Sequence, residues 1–206
     1  MPRAVKTWLF FMLVVAAPTV LAAEKSILVF GDSVSAALGI AQARGWVALL
    51  GERLKRERLD YSVVNASISG EITAGGVTRL RPALEKYRPA VVIIELGGND
   101  GLRGMPVAAM KKNLDTMVEQ SRKAGARVLL IGMRMPPNYG PQYTGEFERA
   151  FAEVAKRHGA ALLPFLFEDF GGDWRDFFQL DGIHPTEAAQ PVMLESVWKR
   201  LRPLLR

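Results

Sequence analysis

The sequence predicts an α/β fold in which helices cover both faces of a central, mostly parallel five-stranded sheet. Short apolar segments alternate along the chain with longer segments of helical periodicity, which is typical of parallel strands joined by right-handed helical crossovers. Residues 91–94 form the β-branched run Val-Val-Ile-Ile, which suits a strand buried on both faces. Glycine or polar residues follow several of the apolar runs, where a strand would end in a turn. Together these observations predict a three-layer α/β/α sandwich.

The first predicted strand covers residues 27–30. Its sequence, Ile-Leu-Val-Phe, is uniformly apolar, and Gly31 directly after it indicates a sharp turn. Similar short apolar runs predict the other four strands at residues 62–65, 91–96, 127–131 and 160–163. The order of these strands in the sheet cannot be derived from periodicity.

Helices are predicted between the strands, at residues 44–58, 76–86, 106–124 and 143–158, with a last helix at 187–200. The clearest is 106–124, where apolar residues recur at helical spacing up to a glycine stop: Val107, Met110, Leu114, Met117, Val118 and Gly125. The helix 143–158 has a comparable apolar stripe. His158 ends that helix just before Gly159, so we interpret it as a packed or helix-capping histidine.

Length and composition indicate one globular domain. The chain has 206 residues, of which 49% are hydrophobic, and it carries a formal net charge of +6. Basic residues alternate with glutamates along predicted helices such as 53–58, a pattern that favours solvated helix faces over a nucleic-acid surface. The absence of cysteine excludes disulfides, thiolate catalysis and cysteine-ligated metal sites.

Residues 1–23 have the layout of a secretory signal peptide. Arg3 and Lys6 precede an apolar segment, and a small-residue end suggests cleavage after Ala22 or Ala23. The alternative is a membrane anchor, but the uncharged segment 8–23 is interrupted by Pro18 and falls short of the ~20 residues of a spanning helix. We therefore predict a mature domain of residues 24–206 that is exported, best suited to the bacterial periplasm, and without a stable membrane anchor.

Polar clusters follow the predicted strands, and the carboxyl ends of parallel strands meet at one edge of a sheet, where open α/β sheets bind their ligands. The clusters are Gly31-Asp32-Ser33, residues 65–70, Gly97-Gly98-Asn99-Asp100 and residues 181–185. Ser33 directly follows the first strand. It is either the N-cap of a helix or a nucleophile, and a nucleophilic serine needs a base to take its proton.

His184 is the candidate base, because the chain has only two histidines and His158 has the structural interpretation given above. Asp181 precedes it by three residues across a glycine turn. One short turn would bring the carboxylate to Nδ1 and leave Nε2 free to accept a proton from serine. The alternative is an Asp-Gly turn before a helix, with an incidental histidine. Ser35 occupies the second glycine position of the G-x-S-x-G elbow, which disfavours an ordinary α/β-hydrolase.

Acyl transfer also requires hydrogen-bond donors for the oxyanion that develops on the substrate. The backbone N–H of Gly70 and the side-chain amide of Asn99 are candidates, since both follow predicted strands. The alternative for residues 97–101 is a plain tight turn, in which Asn and Gly are common.

These four blocks, in this order, resemble the SGNH (GDSL-type) hydrolase superfamily over essentially the whole mature chain. Within it the chain is most similar to multifunctional periplasmic esterases with thioesterase, lysophospholipase and arylesterase activity, through residues 98–104, 137–140 and 163–165. The resemblance implies a flavodoxin-like α/β/α fold, a catalytic triad of Ser33, His184 and Asp181, and an oxyanion hole formed by Ser33, Gly70 and Asn99. We further expect a monomer that acts on a small-molecule acyl ester or thioester and uses no cofactor, metal or nucleic acid.

The resemblance further implies an acyl groove shaped by the loops after Gly70, Gly101 and Met135. We expect six residues to contact substrate there: Asp32, Gly98, Leu102, Met135, Pro136 and Ile183. One departure from the family is Glu71-Ile72, where close relatives often have Asp-Thr; it affects the loop next to the groove and hence acyl-length preference.

Two other classes of function compete with the serine esterase. A metal-dependent phosphoesterase could use Asp32, Asn99, Asp100 and His184 as ligands, although such sites usually draw on several histidines. A non-catalytic lipid- or carbohydrate-binding module could share the same fold, because fold alone does not fix function.

Overall fold

Five strands form a single sheet in a computed structural model that describes residues 25–171 and 174–205. They are β1 (Lys25–Gly31), β2 (Tyr61–Asn65), β3 (Val91–Glu95), β4 (Arg127–Ile131) and β5 (Ala161–Leu163). Their order is β2-β1-β3-β4-β5, and every pairing between these strands is parallel. The first strand lies between the second and the third, so the chain segments that follow these three strands emerge side by side.

Helices lie on both faces of this sheet: α1 (Trp46–Arg56), α2 (Thr73–Tyr87), α3 (Gly98–Leu102), α4 (Val107–Lys123), α5 (Pro141–His158) and α6 (Gln190–Leu201). Helices α1 and α6 pack on one face, and α2, α4 and α5 pack on the other. The predicted α/β/α sandwich with a five-stranded sheet is therefore confirmed.

Two apolar cores arise because successive side chains of a strand point to opposite faces. In β1, Ile27 and Val29 pack against α1 and α6, whereas Leu28 and Phe30 pack against the other helices. All four side chains are inaccessible to solvent. The uniformly apolar strands therefore follow from a sheet that is covered on both sides.

Element boundaries differ from the predictions in ways that have local causes. The sequence predicts either a polar site cluster or a plain tight turn at residues 97–101, but residues 98–102 form the short helix α3. This helix follows Gly97, whose φ of 122° is a conformation that glycine adopts readily. Helix α2 begins at Thr73, three residues before the prediction, because the Asp100 carboxylate accepts hydrogen bonds from the Thr73 N–H and hydroxyl at 2.9 and 2.5 Å.

The predicted signal peptide at residues 1–23 lies outside the described residues. Within residues 25–171 and 174–205, none of the helices combines the length and the apolar character needed to cross a membrane.

Candidate active site

Ser33 lies in the turn that leaves the carboxyl end of β1. The N–H of Ala36 donates to the carbonyl of Asp32 at 2.9 Å, and the N–H of Leu38 donates to the carbonyl of Ser33 at 3.0 Å. These bonds close the turn immediately after the strand, so the serine stays at the sheet edge. Ser33 is only 8% exposed.

The Ser33 hydroxyl and the His184 imidazole are in hydrogen-bond contact, with 2.9 Å between Oγ and Nε2. The other ring nitrogen, Nδ1, lies 2.6 Å from Oδ2 of Asp181. The residues proposed from the sequence thus form one continuous chain from carboxylate to ring to hydroxyl, although Ser33 and His184 are separated by 151 positions. Because Nδ1 faces a carboxylate, we assign its proton to that bond, which leaves Nε2 to accept from serine.

The loop around Asp181 holds this geometry. Its Oδ1 accepts the N–H groups of Ile183 at 2.9 Å and His184 at 3.0 Å, which fixes the orientation of the carboxylate. The N–H of Gln179 donates to the His184 carbonyl at 2.8 Å, which closes the loop. The hydrogen bond from His184, with the two backbone bonds, lowers the pKa of Asp181 to about 2. Asp181 is therefore ionised at neutral pH, and its oxygens act only as hydrogen-bond acceptors.

Of the three predicted oxyanion donors, Ser33 and Asn99 line the cavity described below, whereas Gly70 does not, and their role stays a prediction. Within residues 25–171 and 174–205, neither the Ser33 N–H nor the Gly70 N–H donates to a protein acceptor. Gly70 has φ of 78°, a conformation that L-residues with a side chain rarely adopt. Its carbonyl accepts a hydrogen bond from Arg103 at 3.2 Å, which fixes the orientation of the following peptide.

The Asn99 amide reaches the same region from α3, but its donors are engaged. Its Nδ2 donates to Oδ2 of Asp32 at 3.1 Å and to the carbonyl of Glu71 at 3.0 Å. An amide nitrogen has two hydrogens, so both are used in this state. Asn99 can contribute to an oxyanion hole only by sharing or exchanging one of these bonds when substrate binds.

Asp32 is nearly buried, at 3% exposure, beside the serine. It accepts the Val34 N–H at 3.1 Å as well as the Asn99 amide. Burial raises the pKa of Asp32 to about 6, and these hydrogen bonds and the nearby His184 only partly offset the effect. From its buried position, the Asp32 carboxyl group therefore orients the turn and the Asn99 side chain through hydrogen bonds.

A cavity of about 630 Å³ opens beside Ser33 and His184. Much of its lining is apolar, from the segments after β4 and β5 and the loop before His184: Met133, Met135, Pro136, Pro137, Phe165, Leu166, Phe167, Phe170, Phe178 and Ile183. All six residues expected to contact substrate, Asp32, Gly98, Leu102, Met135, Pro136 and Ile183, lie in this lining. Their contact with substrate stays a prediction.

Glu95, a fully buried carboxyl group at the end of β3 beside the cavity, is not among the site residues predicted from the sequence. The signal that could have found it is a single acidic residue closing an otherwise apolar strand. Asp100 was predicted only as part of a polar cluster or a metal site, whereas its carboxylate holds the start of α2.

The residues of the alternative metal site do not form a ligand cluster. Asp100 is bound to Thr73, whereas Asp32 is bound to Asn99. In the part of the chain that the structure describes, groups of three or more His, Asp or Glu residues suited to a metal ion do not occur. The second histidine, His158, contacts Asp115 at 3.0 Å at the end of α5, away from the serine.

Comparison with known proteins identifies a family and several relatives. Residues 29–191 match the model of the GDSL-like Lipase/Acylhydrolase family. The chain is 54% identical over 184 residues to the esterase TesA of Pseudomonas aeruginosa, covering 89% of this chain and 91% of that protein. It is 38% identical over 186 residues to the thioesterase 1/protease 1/lysophospholipase L1 of Escherichia coli, covering 89% and 86% of the two chains.

Among solved structures, the chain resembles the esterase EstA from Pseudoalteromonas sp., solved as inhibited by monoethylphosphonate. The two share 41% identity with a TM-score of 0.83, over 88% of this chain and 98% of that one. The resemblance inferred from the four sequence blocks is thereby confirmed.

Proposed function

We propose that this chain, which belongs to the GDSL-like lipase/acylhydrolase family, hydrolyses carboxylic esters and thioesters through an acyl-enzyme formed on Ser33. The observation that carries the proposal is the unbroken hydrogen-bonded chain from Asp181 through His184 to Ser33, placed at the mouth of an apolar cavity. A serine becomes a nucleophile when an adjacent base accepts its proton, and this base is itself oriented by a third group.

In the first step, Ser33 Oγ attacks the acyl carbon while His184 Nε2 takes the hydroxyl proton. The resulting imidazolium is stabilised by the Asp181 carboxylate at 2.6 Å. His184 then returns the proton to the departing alcohol or thiol as its bond to the acyl carbon breaks. Ser33 is left carrying the acyl group as an ester.

The negative charge that develops on the carbonyl oxygen is stabilised by the N–H groups of Ser33 and Gly70. Preset donors of this kind cost no reorganisation during the reaction. The Asn99 amide joins them by giving up its bond to the Glu71 carbonyl and keeping its bond to Asp32. The bond to Asp32 then orients the amide, and the freed hydrogen points to the oxyanion.

In the second step, water replaces the leaving group. His184 takes a proton from the water as its oxygen attacks the acyl carbon, and the Ser33–acyl bond breaks to release a carboxylic acid. His184 finally returns that proton to Ser33 Oγ. The chain's own residues perform all the proton transfers, so the mechanism needs neither a cofactor nor a metal.

The cavity and the names of the relatives support the proposed substrate class. The apolar lining suits an acyl chain. Relatives are named esterase, arylesterase, and thioesterase 1/protease 1/lysophospholipase L1. We therefore place acyl-CoA thioesters, lysophospholipids and aryl esters within the substrate range of this protein.

The proposal includes export. The basic start, apolar segment and small-residue end of residues 1–23 support a signal peptide, a mature domain of residues 24–206 and a periplasmic location. Mass spectrometry of the purified periplasmic form tests this, because cleavage after Ala22 or Ala23 gives two defined masses, and an uncleaved chain would contradict it. We expect the mature form to be a monomer in sedimentation equilibrium.

The experiment that tests the proposed function is a panel of acyl esters and thioesters of graded chain length. Wild type should hydrolyse both ester classes, and Ser33→Ala should lose turnover by at least about a thousandfold. Ser62→Ala is the matched control, since Ser62 lies in β2 away from the polar clusters, and it should behave as wild type. Equal rates for wild type and Ser33→Ala would refute the proposal, and inactivity of both would favour a binding module.

A further inference from the structure

Glu95 is the last residue of β3, and its side chain is completely buried. It pairs in register with Gly31, the glycine that precedes Asp32 and Ser33. A Cβ added at Gly31 would lie 2.5 Å from Oε2 of Glu95, so the carboxyl group occupies the space that any other residue at position 31 would fill. The glycine of the Gly-Asp-Ser block therefore makes room for this side chain.

The Glu95 carboxyl group is tied to the turn on both sides of Ser33. Its Oε2 accepts the Ser35 hydroxyl at 2.7 Å and the Asp32 N–H at 3.3 Å. Ser35 is itself 2% exposed, and its carbonyl accepts the Asn65 side-chain amide from β2 at 2.8 Å. Hydrogen bonds thus connect the turn that carries Ser33 to both strands that flank β1, through Glu95 of β3 and Asn65 of β2.

The surroundings of Glu95 favour its neutral form. Among the described residues, no lysine or arginine forms an ion pair with it, and its Oε1 has no hydrogen-bond partner. Its titratable neighbour is Asp32, whose N–H it accepts and whose own charge interacts with those of His184 and Asp100. Burial and the Asp32 charge raise the pKa of Glu95 well above its usual value.

We propose that Glu95 is a positioning residue for Ser33. As a neutral carboxylic acid, it fills the space over Gly31 and holds the 32–35 turn so that the Ser33 hydroxyl meets His184. Its shape and its accepting oxygen carry this role. The role does not require a negative charge on Glu95, because an ionised Glu95 would be repelled by the Asp32 carboxylate in the buried turn. The inference rests on the proposed function, since it assigns Ser33 as the nucleophile whose position is held.

Two substitutions separate shape from charge. Glu95→Gln is neutral at all pH values and keeps an oxygen that can accept from Ser35 and Asp32, whereas Glu95→Ala removes the acceptor and opens a space. We expect Glu95→Ala to lower kcat by roughly 10- to 100-fold with little change in KM, since a shift of the nucleophile by about 1 Å can cost about a hundredfold. Glu95→Gln should stay within about threefold of wild type.

The pH profile of kcat/KM distinguishes this role from a purely structural one. A neutral Glu95 contributes no charge to the site, so Glu95→Gln should have the same acid limb as wild type. If Glu95 were ionised, its replacement by an amide would remove a negative charge near the site and shift that limb. A shifted limb, or a loss in Glu95→Gln as large as that in Glu95→Ala, would overturn the proposal.

A double-mutant cycle tests the contact with Gly31 directly. Gly31→Ala should displace the carboxyl group and reproduce the kcat loss of Glu95→Ala. The added Cβ would also lie 2.9 Å from Cβ and Oγ of Ser35, the residue whose hydroxyl Glu95 accepts. Because both changes disrupt the same packing of residues 31, 35 and 95, Gly31→Ala/Glu95→Ala should be little worse than either single variant. Losses that multiply would mean that the two positions act independently, and the proposal would fail.

Leu114→Ala is the control for general loosening of the core. It truncates a buried side chain of α4 outside the cavity lining, so it should lower thermal stability without lowering kcat per folded molecule.

Should Glu95→Ala not fold, Ser35→Ala removes the 2.7 Å contact from the other side and should show the same kcat loss, and full activity would overturn the proposal. An active Ser33→Ala would refute the proposed function. An inactive Ser33→Ala with a fully active Glu95→Ala would refute only the role of Glu95.

Discussion

Replacement of Asp181 by asparagine should be more damaging than its replacement by alanine. In the native loop, Oδ1 of Asp181 accepts two backbone N–H groups, from Ile183 and His184, and Oδ2 faces the His184 Nδ1. An asparagine in this loop would keep its carbonyl on the two backbone donors, because its amide nitrogen cannot accept them. Its NH₂ group would therefore face Nδ1.

A donor opposite Nδ1 selects the wrong tautomer. Nδ1 then has to accept, Nε2 carries the proton, and Nε2 can no longer take a proton from Ser33. A wrong tautomer of this kind costs about 10⁴ in kcat, or about 5 kcal/mol of barrier. In Asp181→Ala, water can accept the Nδ1 proton, because the Asp181 side chain is 45% exposed. The correct tautomer survives without its anion, and we expect a loss nearer 10².

The measurement is kcat for a water-soluble aryl ester, normalised to folded enzyme by circular dichroism. We expect kcat to decrease in the order wild type, Asp181→Ala, Asp181→Asn, with at least about a tenfold difference in kcat between the two variants. Equal losses, or an asparagine variant more active than the alanine variant, would refute the assigned direction of the hydrogen bond between Asp181 and His184.

Further predictions concern the oxyanion donors, the pH dependence of stability and metal removal. Asn99→Ala should lower kcat by less than the roughly hundredfold typical of a dedicated oxyanion donor, because both hydrogens of this amide are engaged in the free enzyme; a larger loss in steady-state kinetics would contradict this. Gly70→Ala should lower both the melting temperature and kcat, since φ of 78° strains any L-residue with a side chain; a melting temperature and kcat equal to those of wild type would count against the backbone assigned to residue 70. The pKa of Asp181, lowered from 3.8 to about 2, means that its contribution to stability is present above pH 4 and is lost as the pH falls towards 2. Urea unfolding of wild type and Asp181→Ala should therefore show a stability gap that closes over this range, and a gap that stays constant would refute it. Incubation with a strong chelator should leave the ester hydrolysis rate unchanged, and inactivation that is reversed by added metal would support the phosphoesterase alternative.

Much of the fold was predictable because its signals are local. The run at residues 91–94 is β-branched and apolar because β3 is covered on both faces, and the spacing of apolar residues in α4 follows directly from its buried stripe. The order of the strands was not predictable, because periodicity reports which residues face a core and not which strand lies next to which. The short helix α3 was missed because Gly-Asn-Asp-Gly is typical of turns.

The candidate site likewise contains residues that local sequence signals predict and contacts that only the folded chain reveals. Ser33, Asp181 and His184 could be proposed because each follows a strand or a turn signal that the sequence displays. Glu95 could not, because its importance depends on a register with Gly31 that only the paired strands reveal. The engagement of both Asn99 hydrogens likewise depends on the backbone of Glu71, which no side-chain pattern reports.

The most direct test of the proposed nucleophile is covalent labelling of the protein with an organophosphonate, followed by peptide mass spectrometry. A single adduct on Ser33 is expected, formed rapidly in wild type and at least about a hundredfold more slowly in His184→Ala, where the base is missing. An adduct on another residue, or equal labelling rates in the two proteins, would show that the His184 ring does not activate the Ser33 hydroxyl.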